Sequence, residues 1–277
     1  STKWLNNSAE VHDEYFVLIQ LFVLGECTLV ISDHFAALFL GFELLSIALV
    51  GLVGYGKGCR YSVETSFKYL ILSASASSFM LLGIAFIYSQ TGSLSFVPVI
   101  ANTDYGTFYQ AGMLLFLVGV AFKLSLAPFH FWTPDVYQGS PIPVTLLLAS
   151  VSKVAMFVVL MKCWFSQNYI FSTHNGGENI LSIISLLAII SMLVGNILAL
   201  KQQNIKRLLA YSSIAHMGYL LIVLLIVSPQ SIELAWQSAL FYLSAYVLAT
   251  VSIFTALILI QSKSDDSMVQ VKDWQGL

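Results

Sequence analysis

The sequence predicts an all-α polytopic membrane protein of about eight transmembrane helices, one of them broken by proline. Three observations predict it. Of the 277 residues, 58% are apolar and 9% are charged, with mean hydropathy +0.83; a soluble domain carries about 25% charge. The apolar runs match the roughly 20 residues that a helix needs to cross a bilayer. Lysine and arginine also collect on one side of the predicted spans.

The first span, near 15–32, contains Glu26 in LFVLGECTLV, with structural and functional roles both open. The second, near 34–56, reads HFAALFLGFELLSIALVGLVGY and places Glu43 about ten residues in. At about 1.5 Å per residue that is close to mid-bilayer. The third, near 65–90, opens with Lys68, read as a snorkelling or pairing residue that would tune Glu43 across neighbouring spans. Its LSASASSF stretch offers Ser73, Ser75, Ser77 and Ser78 as a small-residue surface for close helix packing.

The fourth span, near 108–137, is too long for one straight helix and contains Pro128 and Pro134 in AFKLSLAPFHFWTPD. Proline lacks an N–H and clashes with the carbonyl four residues back. Pro128 is therefore expected to free the carbonyl of Leu124, beside Lys123, and Pro134 that of His130. Broken helices at membrane depth occur within protein or beside water, and they build ion sites in transporters. The fifth span, near 141–163, holds Lys153 about thirteen residues in, too deep to snorkel easily. The sixth lies near 179–200. The seventh, near 205–227, sets His216 on one face with Ser212 and Tyr219, as a hydrogen-bonded structural histidine or a relay. The eighth lies near 232–261.

An even number of spans puts both termini on one side with the 57–64 and 201–207 loops. That side receives Lys3, Lys57, Arg60, Lys201, Lys206, Arg207, Lys263 and Lys272; the other receives Lys162. The bias places the termini in the cytoplasm or the mitochondrial matrix. The loops 91–107 and 164–178 fall on the opposite side, and one domain is expected.

Cys27, Cys59 and Cys163 show no metal-ligand spacing, and no phosphate-binding glycine loop is present. No basic block points to nucleic acid; the net charge is −2. What remains are Glu43, Lys123 and Lys153 at bilayer depth, where a charge costs at least roughly 2.5–3.5 kcal/mol and by default marks a proton or ion path.

The segments HFAALFLGFELLSIALVGLVGY, AFKLSLAPFHFWTPDVYQGSPIPVTLLLASVSKVAMF and GNILALKQQNIKRLLAYSSIAHMGYLLI resemble the antiporter-like membrane subunits of respiratory complex I. The resemblance implies an inverted-repeat bundle, with 15–163 as a five-helix repeat and 179–261 as three helices of a second. It implies a proton path through Glu43, Lys123 and Lys153, with Glu43 tuning Lys123 and His216 leading onward. It implies no cofactor in this chain, with flavin, iron–sulfur clusters and quinone elsewhere in the complex. The implied partners are other membrane subunits of the complex, the lipid bilayer, and a second polypeptide supplying further N- and C-terminal helices. The implied location is the mitochondrial inner membrane with matrix termini, or a bacterial plasma membrane. A subunit of a multi-subunit cation/proton antiporter and a non-conducting scaffold are the alternatives.

Overall fold

The structure is a computed structural model and describes residues 13–55, 60–97, 106–166, 177–226 and 231–261. Lys3, Lys57, Cys59, Lys263, Lys272 and the loop residues 98–105 and 167–176 lie outside the described residues. The described residues form α1 (Asp13–Ile31), α2 (Phe35–Gly54), α3 (Arg60–Thr91), α4 (Thr107–Lys123), α5 (Trp132–Gly139), α6 (Ile142–Ala149), α7 (Val151–Ser166), α8 (Gly177–Ala199), α9 (Ile205–Leu221) and α10 (Ile232–Gln261). A 3-10 turn, Ile222–Leu225, extends α9.

Among the described residues, seven stretches are long and apolar enough to cross a membrane: α1, α2, α3, α6 with α7, α8, α9 with its 3-10 turn, and α10. The fourth expected span falls on α4, a shorter apolar helix, followed by the short α5. The α6–α7 span is the centre of the bundle, with 72% of its apolar window buried, against 22% in α10. The outer helices present large apolar side chains outward, among them Phe67, Ile71, Leu186, Leu193, Phe241 and Leu248. Patches of that extent belong against lipid or another subunit. The chain is a multi-pass membrane protein.

Close packing is set by glycines where backbones nearly touch. A Cβ on Gly83 of α3 would lie 2.6 Å from the carbonyl oxygen of Gly112 on α4, and one on Gly119 would lie 2.7 Å from Met80 Cβ. Only side chains without bulk allow that approach. The expected serine surface contributes in part. Ser73 and Ser77 are buried, while Ser75 and Ser78 are exposed and donate to the carbonyls of Ile71 and Ala74 on their own helix.

Polar clamps close both ends. Lys162, at the end of α7, donates to the carbonyls of Val30 and Ser32 at 3.1 and 3.0 Å and pairs with Asp33 at 2.7 Å, holding the α1–α2 turn. At the other end Arg207 of α9 pairs with Asp135 of α5 at 3.0 Å and donates to Gln138 at 3.0 Å. Lys206 donates to the Ser140 carbonyl at 2.8 Å. The short α5 is thereby tied to α9.

Two interrupted helices and two buried lysines

The break after α4 has a different cause from the one proline predicts. Ser125 adopts φ 62°, and its N–H donates to the Phe122 carbonyl while Leu126 N–H donates to that of Ala121. That pair of bonds is a Schellman cap, which ends a helix through a left-handed residue, with proline common just beyond. The helix has thus ended before Pro128 is reached. Pro134 is not a breaker: it sits in the first turn of α5, where a backbone donor is unsatisfied anyway. The His130 carbonyl is not freed either, since it accepts from Thr133 N–H at 3.0 Å.

The cap makes Lys123 the last residue of α4, where the helix dipole favours a cation. Its side chain is 2% exposed and donates to Ser46 Oγ at 2.8 Å and Tyr69 OH at 2.9 Å. Ser46 donates its own hydroxyl hydrogen to the Phe42 carbonyl at 2.8 Å, so its lone pairs face the ammonium. The Phe42 ring lies 4.9 Å from Lys123 Nζ and adds a cation–π contact. Tyr69 is wedged against Phe122 and Trp132, and Trp132 Nε1 donates to the Phe122 carbonyl at 3.0 Å.

A second interruption, absent from the sequence expectations, lies three residues before Lys153. Ser150 separates α6 from α7, and both its N–H and its hydroxyl donate to the Leu146 carbonyl, at 3.0 and 2.6 Å. Such back-bonding bends helices. The Ala149 carbonyl accepts the Tyr246 hydroxyl at 2.8 Å. Lys153 is fully buried and donates to Ser213 Oγ at 2.6 Å; Ser213 and Tyr246 share a hydrogen bond at 2.6 Å. The Tyr137 ring lies 5.8 Å from Lys153 Nζ.

The remaining expected residues are placed differently. Glu43 is half-buried on α2, within electrostatic range of Lys123 but not in an ion pair with it among the described residues. Lys68 is half-exposed and pairs with Glu64 at 2.9 Å and Asp135 at 3.7 Å, instead of with Glu43. His216 is half-buried and its Nδ1 bonds Tyr242 OH at 2.7 Å; Ser212 lines the same cavity, and Tyr219 OH accepts from Asn196. That cavity, about 280 Å³, lies between α9 and α10 and reaches Ser213 and Tyr246.

In the segment that follows α4 and in the first turn of α5, Ser125 Oγ and Thr133 Oγ1 are buried without a hydrogen-bond partner among the described residues. Orphaned buried hydroxyls are the groups that internal water satisfies. Sequence reasoning missed Ser46, Tyr69, Ser213, Tyr242 and Tyr246, because serine and tyrosine in apolar helices carry no charge to flag them.

The family model described as NADH:quinone oxidoreductase/Mrp antiporter, TM, matches residues 32–277. A chain of respiratory complex I from Thermus thermophilus is 37% identical over 90% of this chain and 52% of its own length, with TM-score 0.73. A chain of the membrane-bound sulfane sulfur reductase, an archaeal respiratory membrane complex, is 26% identical over 98% of this chain and 54% of its own, with TM-score 0.85. A chain of the Mrp complex from Dietzia sp. shares the fold, with TM-score 0.77 at 20% identity over 88% and 45%. The chain spans about half the length of the chains it matches.

Proposed function

As the chain belongs to the NADH:quinone oxidoreductase/Mrp antiporter transmembrane family, we propose that it is a membrane-arm subunit of a proton-pumping NADH:quinone oxidoreductase, with Lys123 and Lys153 carrying protons through it. One observation carries this reading. Both lysines are buried beside a helix interruption, and each is held by hydroxyls instead of a carboxylate.

The chemistry favours transfer. A carboxylate only accepts hydrogen bonds, so it fixes a lysine as ammonium. A serine or tyrosine hydroxyl accepts from an ammonium or donates to a neutral amine, so it serves both states. Tyr69 would do this for Lys123; Ser213, whose hydrogen goes to Tyr246 while Tyr246 donates to the Ala149 carbonyl, would do so for a neutral Lys153 by turning its hydroxyl away from Tyr246. Water along Ser125 and Thr133 would join the two lysines, and Glu43 would set the field around Lys123. Beyond Lys153, the chain through Ser213 and Tyr246 ends on the Ala149 carbonyl, which takes no proton onward. Onward transfer would run through the cavity at His216 and Tyr242.

In this reading the chain lends no redox group; flavin, iron–sulfur clusters and quinone are carried by partner subunits. We place it at the subunit 2 position of the membrane arm, in a mitochondrial inner membrane with the Lys201–Arg207 side facing the matrix. The experiment is a native gel of solubilised membranes stained for NADH oxidation, with mass spectrometry of the bands. The chain is expected in the NADH-oxidising band, and cell fractionation gives the membrane. A band lacking redox subunits, with sodium-dependent proton exchange, would move the assignment to a cation/proton antiporter, which the family description also includes.

A further inference from the structure

The hydrogen bonds of the two lysines go to helices other than α1, yet α1 carries a buried carboxyl with no hydrogen-bond partner on either oxygen. Glu26 is 6% exposed, and both Oε1 and Oε2 are unsatisfied. It belongs to the buried stripe of α1, with Phe22, Gly25 and Leu29, so its register turns it away from lipid. Two glycines fix how closely that stripe meets α2. A Cβ on Gly25 would lie 2.9 Å from the Leu45 backbone nitrogen, and one on Gly41 would lie 2.7 Å from Thr28 Oγ1. Leu45 immediately precedes Ser46, which holds Lys123. Glu26 is thus pinned at the level of the Lys123 cradle.

The Lys123 ammonium is within electrostatic range of both Glu26 and Glu43, yet no ion pair within 4.0 Å joins it to either among the described residues. Two of its three N–H groups go to Ser46 and Tyr69. A purely structural role accounts poorly for this carboxyl, since an unsatisfied buried polar group costs free energy in either protonation state and an apolar side chain would fill the space without that cost.

We propose that Glu26 is a proton-exchanging carboxyl for Lys123, whereas Glu43 sets the field around it. The proposal rests on Lys123 being a proton carrier. A proton leaves the Lys123 ammonium and adds to the Glu26 carboxylate, through one bridging water, leaving a neutral amine and a carboxylic acid. The summed charge of the pair is zero before and after, so no net charge is created in the low-dielectric interior.

The test uses the intact complex carrying Glu26→Gln, Lys123→Met, or both. Complex abundance, proton yield in sealed vesicles and the infrared difference spectrum on turnover are measured together. Glu26→Gln is expected to assemble normally, lower proton pumping per complex about tenfold, and remove one carboxylic C=O band. The double variant is expected to pump no worse than Lys123→Met alone. If Glu26→Gln fails to assemble, Glu26→Asp is expected to move that band. Normal pumping by Glu26→Gln beside impaired Lys123→Met, or an unaltered band in Glu26→Asp, overturns the role of Glu26 alone. Normal pumping by Lys123→Met instead overturns the lysine row beneath it.

Discussion

Ser125 shows how much can hang on one backbone angle. Its φ of 62° turns the chain out of α4 and leaves Lys123 as the terminal helical residue. A left-handed conformation costs a residue with a Cβ roughly 1–2 kcal/mol, and the buried Ser125 hydroxyl has no partner to offset it. Ser125→Gly is therefore expected to stabilise the purified assembly by about 1 kcal/mol, and Ser125→Val to destabilise it, both read as shifts in the thermal midpoint. The burial of Lys123 and Lys153 was legible in the sequence, because an apolar run of roughly 20 residues crosses the bilayer and carries its middle side chains to full depth. The left-handed cap was not legible, because glycine normally announces it and here a serine fills the place. The partners of the lysines were hidden as well: Ser46 and Tyr69 lie 77 and 54 positions from Lys123, and Ser213 lies 60 from Lys153.

Among elements, seven of the eight expected spans were readable in order from apolar length; the fourth, expected to be broken, appears as the shorter α4 followed by α5. The break within the fifth was not, since Ser150 is one small polar residue in PVTLLLASVSKVAMF and its back-bond to Leu146 leaves no compositional trace. Close packing of the third span was expected at its serines, whereas α3 and α4 approach most closely at Gly83 and Gly112. Gly83→Leu would drive a side chain into the Gly112 carbonyl and the backbone of α4. Overpacking of that kind costs about 1–3 kcal/mol or more, so this variant is expected to reduce the amount of assembled complex on a native gel. The activity of each complex that does assemble should change much less, because the lysine cradles lie elsewhere.

Across the described residues, one hydroxyl cradle joins α2 and α3 to the end of α4, the other joins α7 to α9 and α10, and each lies beside a helix interruption. The side bias of basic residues fits a chain threaded through a membrane, with Arg207 and Lys206 clamping α5 at one end and Lys162 clamping the α1–α2 turn at the other. Both lysines are buried, and in the proposed function what changes there is the position of a proton. The most direct test is the proton yield per NADH oxidised in sealed vesicles, with Lys123→Met and Lys153→Met compared with the parent at equal complex abundance. Both variants are expected to assemble and to lose most of that yield. Full yield from either variant would contradict the role given to that lysine and the path that passes through it.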